Sequence, residues 1–254
     1  MRVISFVIEG LERAAKAGCM EWLFSQDADV ICLQDTRCSE YSLQDDKFSP
    51  EDYFAYHCQN PCDHSRNGVS LYCRTMPKAI IWGMGFNPLD SEGLYIQADY
   101  RNLSIGSVLI PSALNGTQQL NLKLETLSKL GARLEKIRSK RRGFVFCGGW
   151  ELTAHQADVE EEGDNTLSLP GVSSAEQRWL LDLYDSGYAD AFRFANVGYN
   201  EYTWWPNGDD AGGLRTDTQI ISDSLVPSVQ SSSIYIEQAF SHHAPVIVDY
   251  DLEL

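Results

Sequence analysis

Short apolar runs rich in β-branched residues alternate along the chain with longer stretches in which apolar residues recur every three or four positions. Runs of the first kind, bounded by turn residues, predict buried strands, and the longer spacing predicts amphipathic helices. Helices are predicted between Leu11 and Leu23, over residues 118–138 and over residues 175–184. The predicted strands cover residues 3–8, 29–34, 68–73, 94–100, 103–110, 143–148, 202–205, 215–221, 233–237 and 246–250.

The two kinds of element alternate without an intervening linker or an internal repeat. A mixture of helices with many short strands predicts an α/β or α+β sandwich, which we expect to form one domain over residues 1–254. With 254 residues, 43% of them hydrophobic, the chain can bury one large core or two smaller ones.

The formal net charge of -16 argues against a protein that binds nucleic acid through its overall charge. No apolar run approaches the roughly 18 residues of a membrane span, and the N-terminal apolar stretch is too short for a signal peptide. We therefore expect a cytoplasmic protein with no membrane contact.

Seven cysteines at irregular spacing predict free thiols in a reducing compartment. A small zinc site is the alternative for one cluster, although a second paired motif at a standard spacing is missing. This cluster comprises His57, Cys58, Cys62 and His64.

Charged and polar side chains stand where the predicted strands end, which is where loops of a sandwich form binding sites. A carboxylate beside a histidine can orient a general base or place a metal, or it can simply hold a loop by a hydrogen bond. Spacing alone leaves both interpretations open. The residues at these ends are Glu9, Asp35, Glu151, His155, Asp217, His242 and His243.

The order of six short motifs resembles the exonuclease III type of apurinic endonuclease, within the endonuclease/exonuclease/phosphatase superfamily. The motifs are SFVIEGL, LQDT, GGWE, WWP, GLRTD and SHHAPV, and the resemblance runs from Val3 to Tyr250. It implies a four-layer α/β (α+β) sandwich, in which two mixed β-sheets pack face to face with helices on both outer faces.

Several positions depart from the catalytic pattern that this resemblance implies. The family has Asn where Val7 stands, Tyr at Leu109, Asp at Gly149, Asn at Glu151 and Asp at His242. Phosphodiester hydrolysis requires an activated water, charge stabilisation and, in this family, a divalent metal, and neither Gly149 nor Val7 can supply an oxygen ligand.

The resemblance retains a metal-site carboxylate as Asp35, one methylene shorter than the family's Glu, and it retains Asp217 and His243. We accordingly expect a vestigial site without catalytic residues, metal or other cofactor. The open alternative is that Glu151 or His242 builds a different site. The vestigial positions are Val7, Asp35, Leu109, Gly149, Glu151, Asp217, His242 and His243.

Longer stretches, including ADVICLQDTR, GYADA and FSHHAPVIVDYD, resemble a branch of this superfamily, the catabolite repression control proteins. That resemblance implies a non-enzymatic translational co-repressor that acts with the RNA chaperone Hfq on A-rich mRNA and binds nucleic acid weakly alone. The alternatives are a metal-dependent exonuclease III-type DNA repair nuclease and a scaffold that contacts only protein.

The segment from Lys123 to Arg142 contains eight Lys or Arg and only two Glu in an otherwise acidic chain. Such a basic stripe predicts a contact with RNA or a partner, although an ordinary solvated helix face is the alternative. The aromatic pair Trp204 and Trp205 is a second candidate surface for bases. The predicted partner-binding residues are Lys129, Arg133, Lys136, Arg138, Lys140, Arg141 and Arg142.

Overall fold

In the computed structural model, two mixed six-stranded sheets lie face to face, and the structure describes residues 1–114, 116–140, 142–160, 169–196, 198, 201–206 and 212–254. The first sheet has the order β11-β12-β1-β2-β4-β3 and the second has the order β5-β6-β7-β8-β10-β9. The strands are β1 Arg2–Val7, β2 Val30–Gln34, β3 Phe54–Cys58, β4 Val69–Cys73, β5 Ala79–Trp82, β6 Tyr95–Asp99, β7 Leu103–Leu109, β8 Gly143–Gly149, β9 Tyr188–Asp190, β10 Asp217–Ser222, β11 Val229–Ile234 and β12 Val246–Tyr250.

Five α-helices are described, and the longer ones cover the outer faces of the sheets. The aliphatic faces of α3 and α4 pack on the outside of the second sheet, with Leu127, Leu134 and Leu180 among the buried side chains. The first two helices cover the first sheet in the same way. The helices are α1 Leu11–Lys16, α2 Cys19–Ser25, α3 Thr117–Arg138, α4 Ser174–Asp185 and α5 Ala191–Ala195.

A third apolar cluster lies between the two sheets, to which β1, β2, β7 and β8 contribute buried side chains. The predicted four-layer sandwich is therefore confirmed. Within the described part of the chain, no helix is long and apolar enough to cross a membrane.

Two parallel strand pairs set the position of the functional residues. β1 runs parallel to β2 in the first sheet, and β7 runs parallel to β8 in the second. The carboxyl ends of parallel neighbours lie at the same sheet edge. β10 is antiparallel to β8, and its register brings Asp217 opposite Gly149 at that edge.

The structure differs from the pattern-based prediction at three kinds of element. The predicted helix between Leu11 and Leu23 is two helices, because Gly18 adopts a left-handed φ of 82°. Residues 202–205 do not form a strand, since Trp204 makes only isolated bridges to Leu214 and His243. The edge strands β3 and β5, whose side chains are mostly half-buried or exposed, and the three-residue edge strand β9 were not predicted. The edge strand β11 begins at Val229, four residues before the predicted strand 233–237.

One basic residue of α3 is completely buried. Lys123 is 0% exposed, and its Nζ donates to the Glu151 carbonyl oxygen at 2.6 Å and pairs with Glu176 Oε1 at 2.7 Å. Glu176 is itself 1% exposed and caps the start of α4. Lys123 is thus a structural cation joining both outer helices to the loop after β8.

Replacing Lys123 by Met should lower the free energy of unfolding by about 3–5 kcal/mol, because two partly or fully buried carboxylates lose their cation. Urea denaturation at pH 7 measures this change. The matched control is Lys129→Met on the same helix, where the ion pair with Glu125 is exposed and its loss should change stability little. Equal destabilisation by the two variants would contradict the structural role of Lys123.

Candidate active site

A cleft of about 360 Å³ opens at the edge where β1, β2, β7 and β8 end. Its walls carry the sequence-predicted residues Glu9, Asp35, Glu151, Asp217 and His243. The structure therefore brings together the polar side chains that follow the strands. His155 is an exposed loop residue and does not line this cleft.

Unusual backbone conformations are concentrated in this cleft. In the part of the chain that the structure describes, six non-glycine residues have a positive φ, and all of them except Asp27 line the cleft. Such residues cost of order 1–3 kcal/mol each and cluster where strain serves a function. The cleft residues with positive φ are Glu9, Asp35, Arg37, Asn67 and Glu151.

His243 and Asp217 form a tight pair at the base of the cleft. His243 Nδ1 lies 2.6 Å from Asp217 Oδ2, and the imidazole stacks on the buried Trp204 ring with the centroids 5.5 Å apart. Burial would lower the pKa of His243, but the charge and hydrogen bond of Asp217, with the charges of Glu9 and Asp35, outweigh burial and raise it. The ring is fixed in orientation and favours the protonated state.

His242 takes part in a second histidine–carboxylate pair. Its Nδ1 lies 2.8 Å from Glu9 Oε2, and its backbone N–H donates to the same oxygen at 2.9 Å. Burial would raise the pKa of Glu9, but the hydrogen bond from the His242 N–H and the charge of His243 lower it overall. Glu9 is therefore held as a charged acceptor beside the cleft.

The other two cleft carboxylates are also engaged. Arg37 donates to both oxygens of Asp35, through Nε at 2.9 Å and Nη2 at 2.5 Å. Glu151 Oε1 accepts from the Ala113 N–H at 2.8 Å and from Lys123 Nζ at 3.3 Å. Each of these carboxylates is bound by a cation supplied by the protein itself.

The residues present do not fit the divalent-metal centre that the resemblance implies. Among the described residues, no group of three or more His, Cys, Asp or Glu side chains converges as a metal ion requires. Mg²⁺ needs carboxylate oxygens in near-octahedral geometry, whereas both oxygens of Asp35 are occupied by Arg37.

The cleft floor is apolar because three of the departures from the family pattern pack on one another. A Cβ atom placed on Gly149 would lie 2.7 Å from Val7 Cγ2 and 3.1 Å from Leu109 Cδ1. Contacts under 3.0 Å force something to move, so Val7 and Leu109 already fill the space of a side chain at position 149. The three positions are physically coupled.

Comparison with known proteins identifies the family that has this architecture. The model of the Endonuclease/Exonuclease/phosphatase family matches residues 8–238. The chain belongs to this family. Over almost its whole length it resembles the DNA repair nuclease APEX1 of Danio rerio (26% identical, 97% of this chain and 81% of the relative) and an exodeoxyribonuclease of Bacillus subtilis (25%, 97% and 98%).

Solved structures of family members share the fold. An AP endonuclease from Archaeoglobus fulgidus superimposes with a TM-score of 0.86 at 18% identity, covering 99% of this chain and 100% of that one. A 3'-5' exonuclease from Neisseria meningitidis gives a TM-score of 0.85 at 18% identity, with the same coverage. At this identity the superpositions establish the fold alone.

The predictions of a non-enzymatic translational co-repressor and of an inactive enzyme are wrong. The relatives that align with 97% of the chain are named as a DNA repair nuclease and an exodeoxyribonuclease. Translational repression with Hfq is therefore not supported, and the nuclease alternative is favoured. The weight placed on the replaced side chains produced the error, since it assumed that no other residue could serve.

The predicted basic stripe lies outside the cleft of this family member. Lys129, Arg133, Lys136 and Arg138 are exposed on α3, which ends at Arg138, so Lys140 does not extend the helical face. Arg142 folds back onto Asp99 at 3.3 Å. Arg141 lies outside the described residues. Binding of RNA or a partner protein by these side chains stays a prediction.

The aromatic pair Trp204 and Trp205 and the cysteine–histidine cluster lie in surroundings that differ from those expected from the sequence. Trp204 is 5% exposed and stacks on His243, so it is not available as a platform for bases, while Trp205 is half-buried. Within the described residues, Cys58, Cys62 and their neighbouring histidines do not form a metal-binding group. His57 instead lies 2.8 Å from the Ser70 hydroxyl.

Two functional cations were missed by the sequence analysis. Arg37 and Arg66 both line the cleft. Arg37 stands two residues after Asp35, the carboxylate that the resemblance assigns to a metal site, and this proximity was a usable signal. Nothing in the spacing marks Arg66, because the turn that carries it joins β3 to β4 and reaches the cleft only in the folded chain.

The His243–Asp217 pair should make stability depend on pH. Because the folded-state pKa of His243 is raised, its contribution is complete below the ordinary histidine pKa of about 6.5 and is lost as pH rises through the folded value. The unfolding free-energy difference between wild type and His243→Gln should therefore shrink as pH rises, as urea denaturation at successive pH values measures.

The control repeats this comparison in a protein that carries Asp217→Asn, which removes the charge that raises the pKa of His243. In that background, His243→Gln should have an effect that no longer declines with rising pH. The same pH dependence in both backgrounds would show that Asp217 does not control the titration of His243.

Proposed function

We propose that this protein hydrolyses phosphate-ester bonds of DNA, as an exonuclease III-type nuclease, in the cleft around His243. The observation that carries the proposal is the imidazole of His243, held by the buried carboxylate of Asp217 in a cleft lined by two arginines. The substrate class is taken from the names of the relatives, an AP endonuclease, an exodeoxyribonuclease and a DNA repair nuclease.

Hydrolysis requires that the attacking water lose a proton and that the leaving oxygen gain one. With Nδ1 fixed on Asp217, Nε2 is the His243 atom that can exchange a proton with substrate or water, and it has no hydrogen bond to any described residue. A group that titrates near neutral pH is the most effective acid or base there. This supports His243 in the proton-transfer role.

Glu151 supports a second part of the mechanism. Gly149 supplies no carboxylate, but Glu151 stands two residues later in a left-handed conformation with φ of 50° and lines the same cleft. Lys123 and the Ala113 N–H hold Oε1, so Oε2 is the oxygen left to orient a water. This corresponds to the alternative in which Glu151 rebuilds the site.

Positive charge for the phosphate comes from Arg37 and Arg66. Donors aimed at the oxygens where negative charge develops are the largest single source of catalysis in acyl and phosphoryl transfer. Both guanidinium groups belong to the cleft wall formed by the segments after β2 and before β4. The wall thus supplies the charge that the acidic chain as a whole lacks.

Purified protein should cleave abasic-site duplex DNA or remove nucleotides from 3' ends, in assays run with MgCl₂ and with EDTA in parallel. His243→Ala should lower the rate by about 10²–10⁴-fold, the usual contribution of a general acid or base. Denaturing gel electrophoresis of labelled oligonucleotides measures both activities.

The matched control is His155→Ala, an exposed histidine outside the cleft, which should retain wild-type activity. Melting temperatures of both variants check that the fold is intact. If wild type cleaves none of these substrates faster than His243→Ala, the proposed function is wrong.

A further inference from the structure

Every carboxylate that lines the cleft is compensated by a cation or a histidine of the same chain. The compensation uses a different partner for each acid. The pairs are Glu9 with His242 and Arg13, Asp35 with Arg37, Glu151 with Lys123, and Asp217 with His243.

The Asp35–Arg37 pair differs from the others because a single side chain donates to both carboxylate oxygens. Nε and Nη2 of Arg37 donate to one carboxylate oxygen each, so both oxygens of Asp35 already accept a charge-assisted hydrogen bond. The Arg37 side chain is 43% exposed. Its Nη1 group has no partner among the described residues, so this edge of the guanidinium remains open to a ligand.

The backbone holds this guanidinium in place. Arg37 has a left-handed φ of 44°, and its N–H donates to the Asn67 carbonyl oxygen at 2.8 Å. The intervening Thr36 is fully buried and donates its own N–H to the Gly68 carbonyl oxygen at 3.1 Å. The segment is therefore clamped onto the turn that also carries Arg66.

We propose that Arg37, rather than a metal ion, supplies the positive charge beside Asp35. Its open guanidinium edge, together with Arg66, binds a phosphate monoester or diester group without a divalent metal. A guanidinium presents paired N–H donors that match phosphate oxygens, and such charge-assisted bonds are strong. The inference deepens the proposed function and rests on it for the substrate class.

The pairing sets Arg37 and a metal ion in competition for the carboxylate of Asp35. A divalent ion bound to Asp35 would lie beside the guanidinium charge, and no group of three or more metal-ligating side chains forms among the described residues. Removing the guanidinium should weaken phosphate binding and favour metal binding. Phosphate loses its donor, and Asp35 becomes available to a metal ion.

The experiment measures binding of thymidine 5′-monophosphate and of Mg²⁺ separately, by calorimetry and by the shift of the melting temperature. Wild type should bind the nucleotide equally in EDTA and in MgCl₂, and Mg²⁺ alone should leave its melting temperature unchanged. Arg37→Gln should weaken nucleotide binding at least tenfold and acquire a Mg²⁺-dependent rise in melting temperature. Asp35→Asn added to Arg37→Gln should abolish that rise.

Arg74→Gln is the matched control, since the Arg74 side chain is exposed to a similar extent as that of Arg37 and pairs with Asp27, but it does not line the cleft. It should leave both binding measurements at wild-type values. Arg37→Lys keeps the charge without the fork, and it should bind the nucleotide with intermediate affinity.

Wild-type binding that requires Mg²⁺, or Arg37→Gln binding the nucleotide as tightly as wild type, would overturn the inference whether or not the protein cleaves DNA. Conversely, metal-free binding that depends on Arg37 in a protein that cleaves no DNA would sustain the phosphate site and refute the nuclease function alone.

Discussion

The face-to-face packing of the two sheets is the constraint on which the cleft depends. Apolar side chains of the central strands fill the space between the sheets, and a few buried polar groups fix how the sheets are offset. Gln34 Nε2 donates to the Ser107 hydroxyl at 2.9 Å, and Gln219 Nε2 donates to the Val3 carbonyl oxygen at 2.9 Å. Since buried polar groups are costly when unpaired, these bonds favour one offset over its neighbours.

With the offset fixed, strand ends from both sheets meet at one edge, and side chains distant in sequence become neighbours. Asp35 follows β2, Glu151 follows β8, and Asp217 begins β10. The left-handed conformations at these ends turn the chain sharply after the last ladder pair. The strain is tolerated because the surrounding strands over-determine the backbone.

Charge in the cleft is balanced by the protein itself rather than left to be balanced by bound ions. Lys123 has the most extreme position, since it lies buried between two carboxylates and ties Glu151 to the outer helices. A buried ion pair contributes little net stability, but losing one member leaves an uncompensated charge. Such pairs therefore specify where the carboxylates point more than they hold the fold together.

The apolar floor shows why substitutions at this site are best considered together. Glycine at position 149 lacks the carboxylate of the family pattern, and Val7 and Leu109 occupy the volume that a larger side chain at this position would need. Judged one position at a time, these replacements indicated a vestigial site. Considered together with Glu151, Arg37 and the family's nuclease members, the same replacements indicate a site in which charge is distributed differently.

The sequence by itself determined the sandwich class and most strands, because burial on a pleated or helical face leaves a periodic pattern, and the resemblance of its motifs implied the four layers. It also marked His243, Asp217 and the strand-end carboxylates as neighbours. It did not reveal the partner of each carboxylate, the edge strands, or the burial of Lys123 within a basic segment for which an exposed partner-binding stripe is predicted. Those features depend on contacts across the two sheets and their loops, where distance in space is unrelated to spacing along the chain, and only the tertiary structure decides them.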